Sequence, residues 1–300
     1  MVSLSVWVSS WIDRRSIRLA ASTLSGYRSL LDKYITPSPC GALPLDEIKP
    51  EDLIVLLSPL IRDGHTRAAQ LLQVLVGAAL RDACRQRILC WSPMDCVDRI
   101  RHHKTATAWL TADQAARLLD AETDKHYYVA WLLALCCGLR RGELLGLKWA
   151  DFDFVRGLLH VRRQKVRVAG KIIEGAPKTE TSIRDIPLSD DLVSELRGFS
   201  SDGYVLSCSD RQLGRHLRLT LSAAGLPDVT LHGLRHTMAA TAATEGIPIK
   251  VLQGILGHAQ YSTTADIYAH VDWAAARKAA NIISMATIRA RANVARLEIV

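Results

Sequence analysis

Five short clusters hold the residues of this 300-residue chain best equipped for chemistry. They are Gly138-Leu139-Arg140-Arg141-Gly142-Glu143, Pro177-Lys178-Thr179, His232-Gly233-Leu234-Arg235-His236, Leu256-Gly257-His258 and Asp266-Ile267-Tyr268-Ala269-His270. Each has an ordinary explanation when taken singly. Arg140 fits a helix start at the surface, Lys178 a hairpin turn, His258 a helix C-terminus facing the dipole, and Tyr268 a half-buried core position. His232 and His236 stand at i and i+4, as a metal pair on one helix face would. The position after His232 is Gly233, however, where a zinc hydrolase of this pattern needs glutamate, and no third ligand stands out.

As a set, the same residues meet the needs of phosphodiester cleavage without a metal. The nonbridging oxygens gain negative charge as the phosphorane forms, so fixed cations must face them. Arginine suits this best, because its planar fork matches two oxygens and its charge is permanent. Arg140 and Arg235 would form such a clamp, with histidine donors beside them. A leaving 5′-oxygen needs a proton, which a lysine on a hairpin can supply. A tyrosine hydroxyl whose pKa is lowered by nearby cations can attack phosphorus and hold the strand covalently.

The elements that must position these groups are legible in outline. The first hundred residues read as helix throughout. Ser22-Thr23 supply an N-cap ahead of Leu24, Tyr27, Leu30 and Leu31 at helical spacing, and Pro37, Pro39 and Gly41 end that element. A second helix runs from Pro50 to Ile61 and a third from about Thr66 to Arg87, stopped by Trp91-Ser92-Pro93. Short helices with short turns predict a small bundle over residues 1–98. Residues 99–109 are basic and polar without apolar periodicity and read as a linker. A second domain over 110–300 opens on Thr111-Ala112-Asp113-Gln114, a capping box, and continues through two helices to Cys137. Gly138 breaks the pattern before a short helix at Glu143–Leu147. Residues 151–187 alternate apolar and polar side chains around Gly157 and Gly170, which predicts a small antiparallel sheet. From Ser189 the chain is helical again. An apolar stripe from Trp273 to Ile288 marks a C-terminal helix, expected to pack on its own domain if nothing else covers it. The fold class expected is α+β, mostly α.

Bulk properties exclude several classes. Apolar residues make up 49% of the chain, enough for a real core and too many for disorder. The net charge of +8 suits a polyanionic partner. The longest apolar stretch, Tyr127 to Leu139, is too short to span a bilayer, and the N-terminus lacks the pattern of a secretory signal. Seven cysteines without zinc-ligand spacing suit a reducing, cytoplasmic location.

The order Arg, Lys, His-x-x-Arg, His, Tyr in these local contexts resembles the tyrosine recombinase (phage integrase) family, over nearly the whole chain. The resemblance implies Arg140, Lys178, His232, Arg235 and His258 as catalytic residues, Tyr268 as nucleophile and Glu143 as a supporting acid. Arg141, His236 and His270 flank the boxes as structural residues, and Tyr261 ranks below Tyr268. Gly233 departs from the family, which usually carries an acidic residue there. Ser22-Thr23-Leu24-Ser25-Gly26-Tyr27 resembles the first helix of the core-binding domain, a SAM-like helical bundle that clamps DNA. Arg28, Lys33, Arg67 and Arg81 are candidates for backbone contacts on it. Many members carry a further arm-binding domain; this sequence is similar either to the two-domain form or to a shortened form of the longer one.

The implied activity is site-specific recombination of double-stranded DNA, integrating or excising a mobile element through a 3′-phosphotyrosyl link. No metal or other cofactor is implied. A homotetramer on paired sites, docked through the C-terminal helix, is the expected assembly. The same residues suit resolution of chromosome or plasmid dimers, a type IB topoisomerase, or a DNA-binding protein that no longer cuts.

Overall fold

The computed structural model describes residues 2–101, 108–168, 170–175, 182–245 and 247–257, with 277, 280–282 and 284 beyond them. They form two compact units, Met1–Thr105 with Arg167–Lys171, and Ala106–Val166 with Ile172–Val300. The architecture is mostly helical with small antiparallel sheets.

In the first unit the spacing of Leu4, Trp7, Val8, Trp11 and Ile12 builds α1 (Leu4–Arg14), whose apolar face is buried along its whole length. α2 (Ala21–Leu30) runs into a π turn at Leu31–Ile35. α3 (Pro39–Ala42), α4 (Pro50–Arg62) and α5 (Thr66–Arg85) follow, and a 3-10 turn at Pro93–Cys96 closes the unit. The core centres on α5, where Leu72, Leu75, Val76, Ala79 and Leu80 are fully buried. Trp7 anchors α1 on it by donating Nε1–H to the Ala79 carbonyl at 2.8 Å. Ser22 and Thr23 do not cap α2. They lie inside its first turn, and Ala20 holds the cap position without a side-chain bond. The Ala20 carbonyl accepts from Thr23 and Leu24, so the first turn closes on the backbone without a side-chain cap.

In the second unit Thr111 and Gln114 close the expected capping box, at 3.2 and 3.0 Å, and open α6 (Ala112–Asp120). α7 (Lys125–Cys137) is buried on every side from Tyr128 to Cys137, which makes it the central helix of the unit. α8 (Arg141–Gly146) starts two residues earlier than expected. The stretch 151–187 forms two sheets rather than one. β1 (Phe152–Asp153), β2 (Leu158–Val161) and β5 (Arg184–Pro187) make a three-stranded antiparallel sheet in the order β1-β2-β5. β3 (Gln164–Val168) and β4 (Lys171–Gly175) form a separate two-stranded ribbon. Every residue of β4 is exposed, Ile172 and Ile173 included; a two-stranded ribbon covers no core, so alternation there does not report burial. α9 (Asp190–Arg197), α10 (Asp210–Ala223), α11 (Leu231–Thr244) and α12 (Ile249–Leu256) complete the unit, with α11 packed along α7.

Of the expected C-terminal helix, Ala280 and Ser284 are buried against their own unit, with the Ser284 hydroxyl 2.5 Å from that of Ser189. No helix among the described residues is long and apolar enough to cross a membrane.

Candidate active site

The chain reaches Arg140 through a sharp break. Gly138 ends α7 in the left-handed region at φ +60°, and a Cβ there would meet Leu256 Cδ2 at 2.6 Å. Glycine is needed for both reasons. Arg140 then takes the N-cap position of α8. Glu143, one turn on, accepts the Arg140 backbone N–H at 2.9 Å through Oε2 and the Arg140 Nη1–H at 2.7 Å through Oε1. The carboxylate is almost completely buried, whereas the Arg140 side chain keeps about a third of its surface exposed, at 32%. Its Nη2 donates to the Gly257 carbonyl, so both ends of this guanidinium are held.

Arg235 comes from α11, which runs beside α7. Its Nη1 donates to the Gly138 carbonyl and its Nη2 to the Leu256 carbonyl, both at 2.6 Å. Burial and the neighbouring Arg140 push its pKa down to about 9, against the pull of Glu143; it remains a cation at neutral pH. His232 lies one turn earlier on the same helix, edge-on to His236 with ring centroids 4.6 Å apart. Partial burial, then the charges of His236, Arg235 and Arg140, lower the His232 pKa. The imidazole is thus biased towards its neutral form, in which one ring nitrogen donates and the other accepts. Among the described residues no group of three or more His, Cys, Asp or Glu side chains is arranged to hold a metal ion.

The structure brings Arg140 and Arg235 together on the C-terminal end of α12, with Glu143 bound to Arg140 and His232 within the electrostatic reach of both arginines. Lys178, His258, Tyr261, Tyr268 and His270 lie outside the described residues. Gly257, immediately before His258, caps α12 in the left-handed region at φ +62°.

Gly233 has a steric explanation. A Cβ there would stand 2.7 Å from the Ala108 carbonyl oxygen and 3.1 Å from Val229 Cβ. The segment entering the unit also gives the Leu110 N–H to Thr237 Oγ1 at 2.9 Å, one turn further along α11. No acidic side chain fits between that segment and the helix.

One site residue was not read from the sequence. Arg184, at the start of β5, grips Glu143 with Nη1 on Oε1 and Nη2 on Oε2, each at 3.0 Å, and its side chain is buried. Its Nε donates to the Ile255 carbonyl at 2.6 Å. Burial would raise the Glu143 pKa, but Arg184 and Arg140 outweigh it and hold it below the usual carboxylate value. Arg184 sits in Ser-Ile-Arg-Asp-Ile-Pro, where only the strand ending in Pro187 was legible.

The four DNA-contact candidates are all in the first unit and have neighbours there. Arg28 pairs with Asp13 at 3.0 Å and Arg81 with Asp95 at 2.8 Å. Arg67 donates to Gln70 at 2.5 Å, and the Lys33 ammonium stands 5.0 Å from the Tyr34 ring centroid.

A model described as the phage integrase family matches residues 108–274, a span that contains all five clusters. The tyrosine recombinase XerC-like protein of Caldanaerobacter subterraneus subsp. tengcongensis is 34% identical over 192 residues, covering 53% of this chain and 49% of that protein. The chain therefore spans about half the length of that relative. Tyrosine recombinase XerD of Neisseria meningitidis serogroup B is 28% identical over 284 residues, covering 87% of this chain and 90% of that protein. The solved structure of the Tn1549 transposon integrase in complex with transposon right end DNA shares the fold, with a TM-score of 0.72 at 22% identity over 92% of this chain and 98% of that one. With more than half of its residues matched by the family model, the chain belongs to the phage integrase family, the tyrosine recombinases.

Proposed function

We propose that this protein breaks and rejoins double-stranded DNA at specific sites, integrating or excising a mobile element. The observation that carries the reading is the convergence of Arg140 and Arg235 on the last two carbonyls of the α12 end, Gly257 and Leu256, with His232 one turn before Arg235 on α11. Two guanidiniums fixed on backbone carbonyls form a preorganised cationic seat, which costs no reorganisation when charge develops on a phosphate.

The scheme assigns one task to each residue. The Tyr268 Oη gives up its proton to solvent and attacks phosphorus, forming a 3′-phosphotyrosyl bond. The bond to the 5′-oxygen breaks, and Lys178 protonates that oxygen as it leaves. Arg140 and Arg235 neutralise the nonbridging oxygens, with His232 and His258 as hydrogen-bond partners. Glu143 supports Arg140. The covalent link conserves the bond energy, so a 5′-hydroxyl from a partner duplex rejoins the strand without a nucleotide cofactor.

Residues 1–98 act as a core-binding clamp and 110–300 as the catalytic domain, joined by the 99–109 linker. Arg28, Lys33, Arg67 and Arg81 serve as backbone contacts. Working protomers assemble as a homotetramer on paired sites through the C-terminal helix, in the cytoplasm. Ala280 and Ser284 already face their own unit, so docking on a neighbour uses another face of that helix or its release.

The test is a nicked suicide duplex, built on the sequence this protein selects from a randomised duplex pool and incubated with EDTA. Wild-type protein is expected to give a DNA adduct that survives SDS, and Tyr268→Phe none. An adduct persisting in Tyr268→Phe would move the nucleophile elsewhere, with Tyr261 next to examine. Binding without any adduct would favour a protein that no longer cuts.

A further inference from the structure

Glu143 is saturated by two arginines rather than one. Oε1 accepts from Arg140 Nη1 and Arg184 Nη1, and Oε2 accepts from the Arg140 backbone and Arg184 Nη2. Each carboxylate oxygen thus receives two donors. Arg140 meets both oxygens from one side, through its backbone N–H and Nη1, and leaves a second acceptor position open on each. The buried fork of Arg184 fixes the plane of the carboxylate, and so fixes the direction from which Arg140 is held.

The same three guanidiniums also share the end of α12. The carbonyls of Ile255, Leu256 and Gly257 are consecutive, and each accepts from a different arginine: Arg184 Nε, Arg235 Nη2 and Arg140 Nη2 respectively. Carbonyls at a helix C-terminus otherwise lack intrahelical partners. Here they set the spacing of three cations. Arg184 is also tied to its own segment, since its Nη1 reaches the Ser182 carbonyl at 3.1 Å.

We infer that Arg184 is a positioning residue for strand cleavage: it orients Arg140 by fixing the plane of the Glu143 carboxylate that both arginines share. It touches no reacting atom itself. This rests on the proposal that Arg140 is catalytic, and the experiment separates the two.

Single-turnover cleavage of the nicked duplex selected from a randomised pool is measured with the full chain, alongside duplex affinity and thermal unfolding. The variants are Arg140→Ala, Arg184→Gln, Arg184→Lys and the Arg140→Ala/Arg184→Gln double. Arg184→Gln is expected to slow cleavage about 100-fold, the scale of a displaced catalytic group, while affinity changes less than about threefold. Arg184→Lys keeps the charge but not the fork, so it should regain thermal stability without regaining rate; a purely structural role would restore both. In the double variant, Arg184→Gln should add less than about a twofold loss to Arg140→Ala, because its effect runs through Arg140.

Wild-type rate in Arg184→Gln, or full additivity with Arg140→Ala, overturns the inference. Wild-type rate in Arg140→Ala overturns the catalytic reading instead. Should Arg184→Gln fail to fold with Glu143 left buried and unpaired, the pair Glu143→Met/Arg184→Leu removes both charges. That pair is expected to fold and cleave slowly, and cleavage at the wild-type rate would sink the inference.

Discussion

Gly138 carries more of the site than any other residue without a functional group. Its positive φ turns the chain from the central helix α7 to Arg140, its missing Cβ admits Leu256, and its carbonyl holds Arg235. Gly138→Ala therefore meets two penalties. The left-handed region costs a residue with a Cβ about 1–2 kcal/mol, and forcing an extra carbon into a packed contact costs about 1–3 kcal/mol. Equilibrium denaturation should show an unfolding free energy lower by about 2–5 kcal/mol. An unchanged midpoint would mean that α12 yields freely, against the tight seat described for its carbonyls. Residues of this kind divide what a sequence discloses. Gly138 is visible as a break in periodicity, and Arg140, His232 and Arg235 are visible because their types suit phosphate chemistry. Arg184 is silent, since an arginine at a strand start reads as a surface residue until the fold buries it against Glu143. Gly233 is silent too, because its reason lies on a segment far away in the chain, at Ala108.

At the scale of elements, helices announced themselves better than sheets. The capping box at Thr111 and the apolar spacing of α4 and α5 report local physics, which survives folding. The ribbon β3–β4 and the sheet β1-β2-β5 share the same alternating pattern, but β4 is exposed and β3 only half-buried, whereas the sheet packs on the core, a distinction set only by tertiary placement. The contact between α7 and α10 shows a further case. Glu122 follows α6, and its buried carboxylate accepts from Trp131 Nε1 at 2.8 Å, Thr220 Oγ1 at 2.8 Å and the Asp124 N–H at 3.0 Å, with His216 Nε2 3.0 Å away. Burial raises its pKa, yet these hydrogen bonds outweigh burial and the net shift is downward. A carboxylate with a lowered folded-state pKa adds stability that is fully present above its unfolded value, near 4.3, and fades as pH falls through the folded value. Glu122→Gln offers an amide N–H where a donor already points, so it should cost about 1–3 kcal/mol at neutral pH. The stability gap between wild type and variant should hold from pH 7 to about pH 5 and narrow below about pH 4. A gap that widened on acidification would reverse the assigned direction.

For the whole molecule, the net charge of +8 is the property that the proposed partner reads first. Bound DNA releases counterions in proportion to the phosphates neutralised, so the logarithm of affinity should fall linearly with the logarithm of salt, by about 0.9 per phosphate contact. The four first-unit candidates differ in how free they are to take part. Arg28 and Asp13 form an ion pair with both side chains more than half exposed, at 60% and 59%. Such a pair is worth only about 0–1 kcal/mol, and a phosphate displaces Asp13 at little cost. Arg81 is in the same position with Asp95. On a bound duplex the carboxylates would repel the polyanion unless they turned away, so each pair would act as a tuned contact rather than a bare cation. Replacing Arg28 and Lys33 together by glutamine should flatten the salt slope by about 1.8, if each meets one phosphate, and weaken binding evenly across sequences. The measurement is duplex affinity by fluorescence anisotropy across a salt series. An unchanged slope would remove this helix from the DNA contact and shift the search to the arginines around Asp82, where Arg14, Arg15 and Arg85 stand within 3.6 Å of one carboxylate.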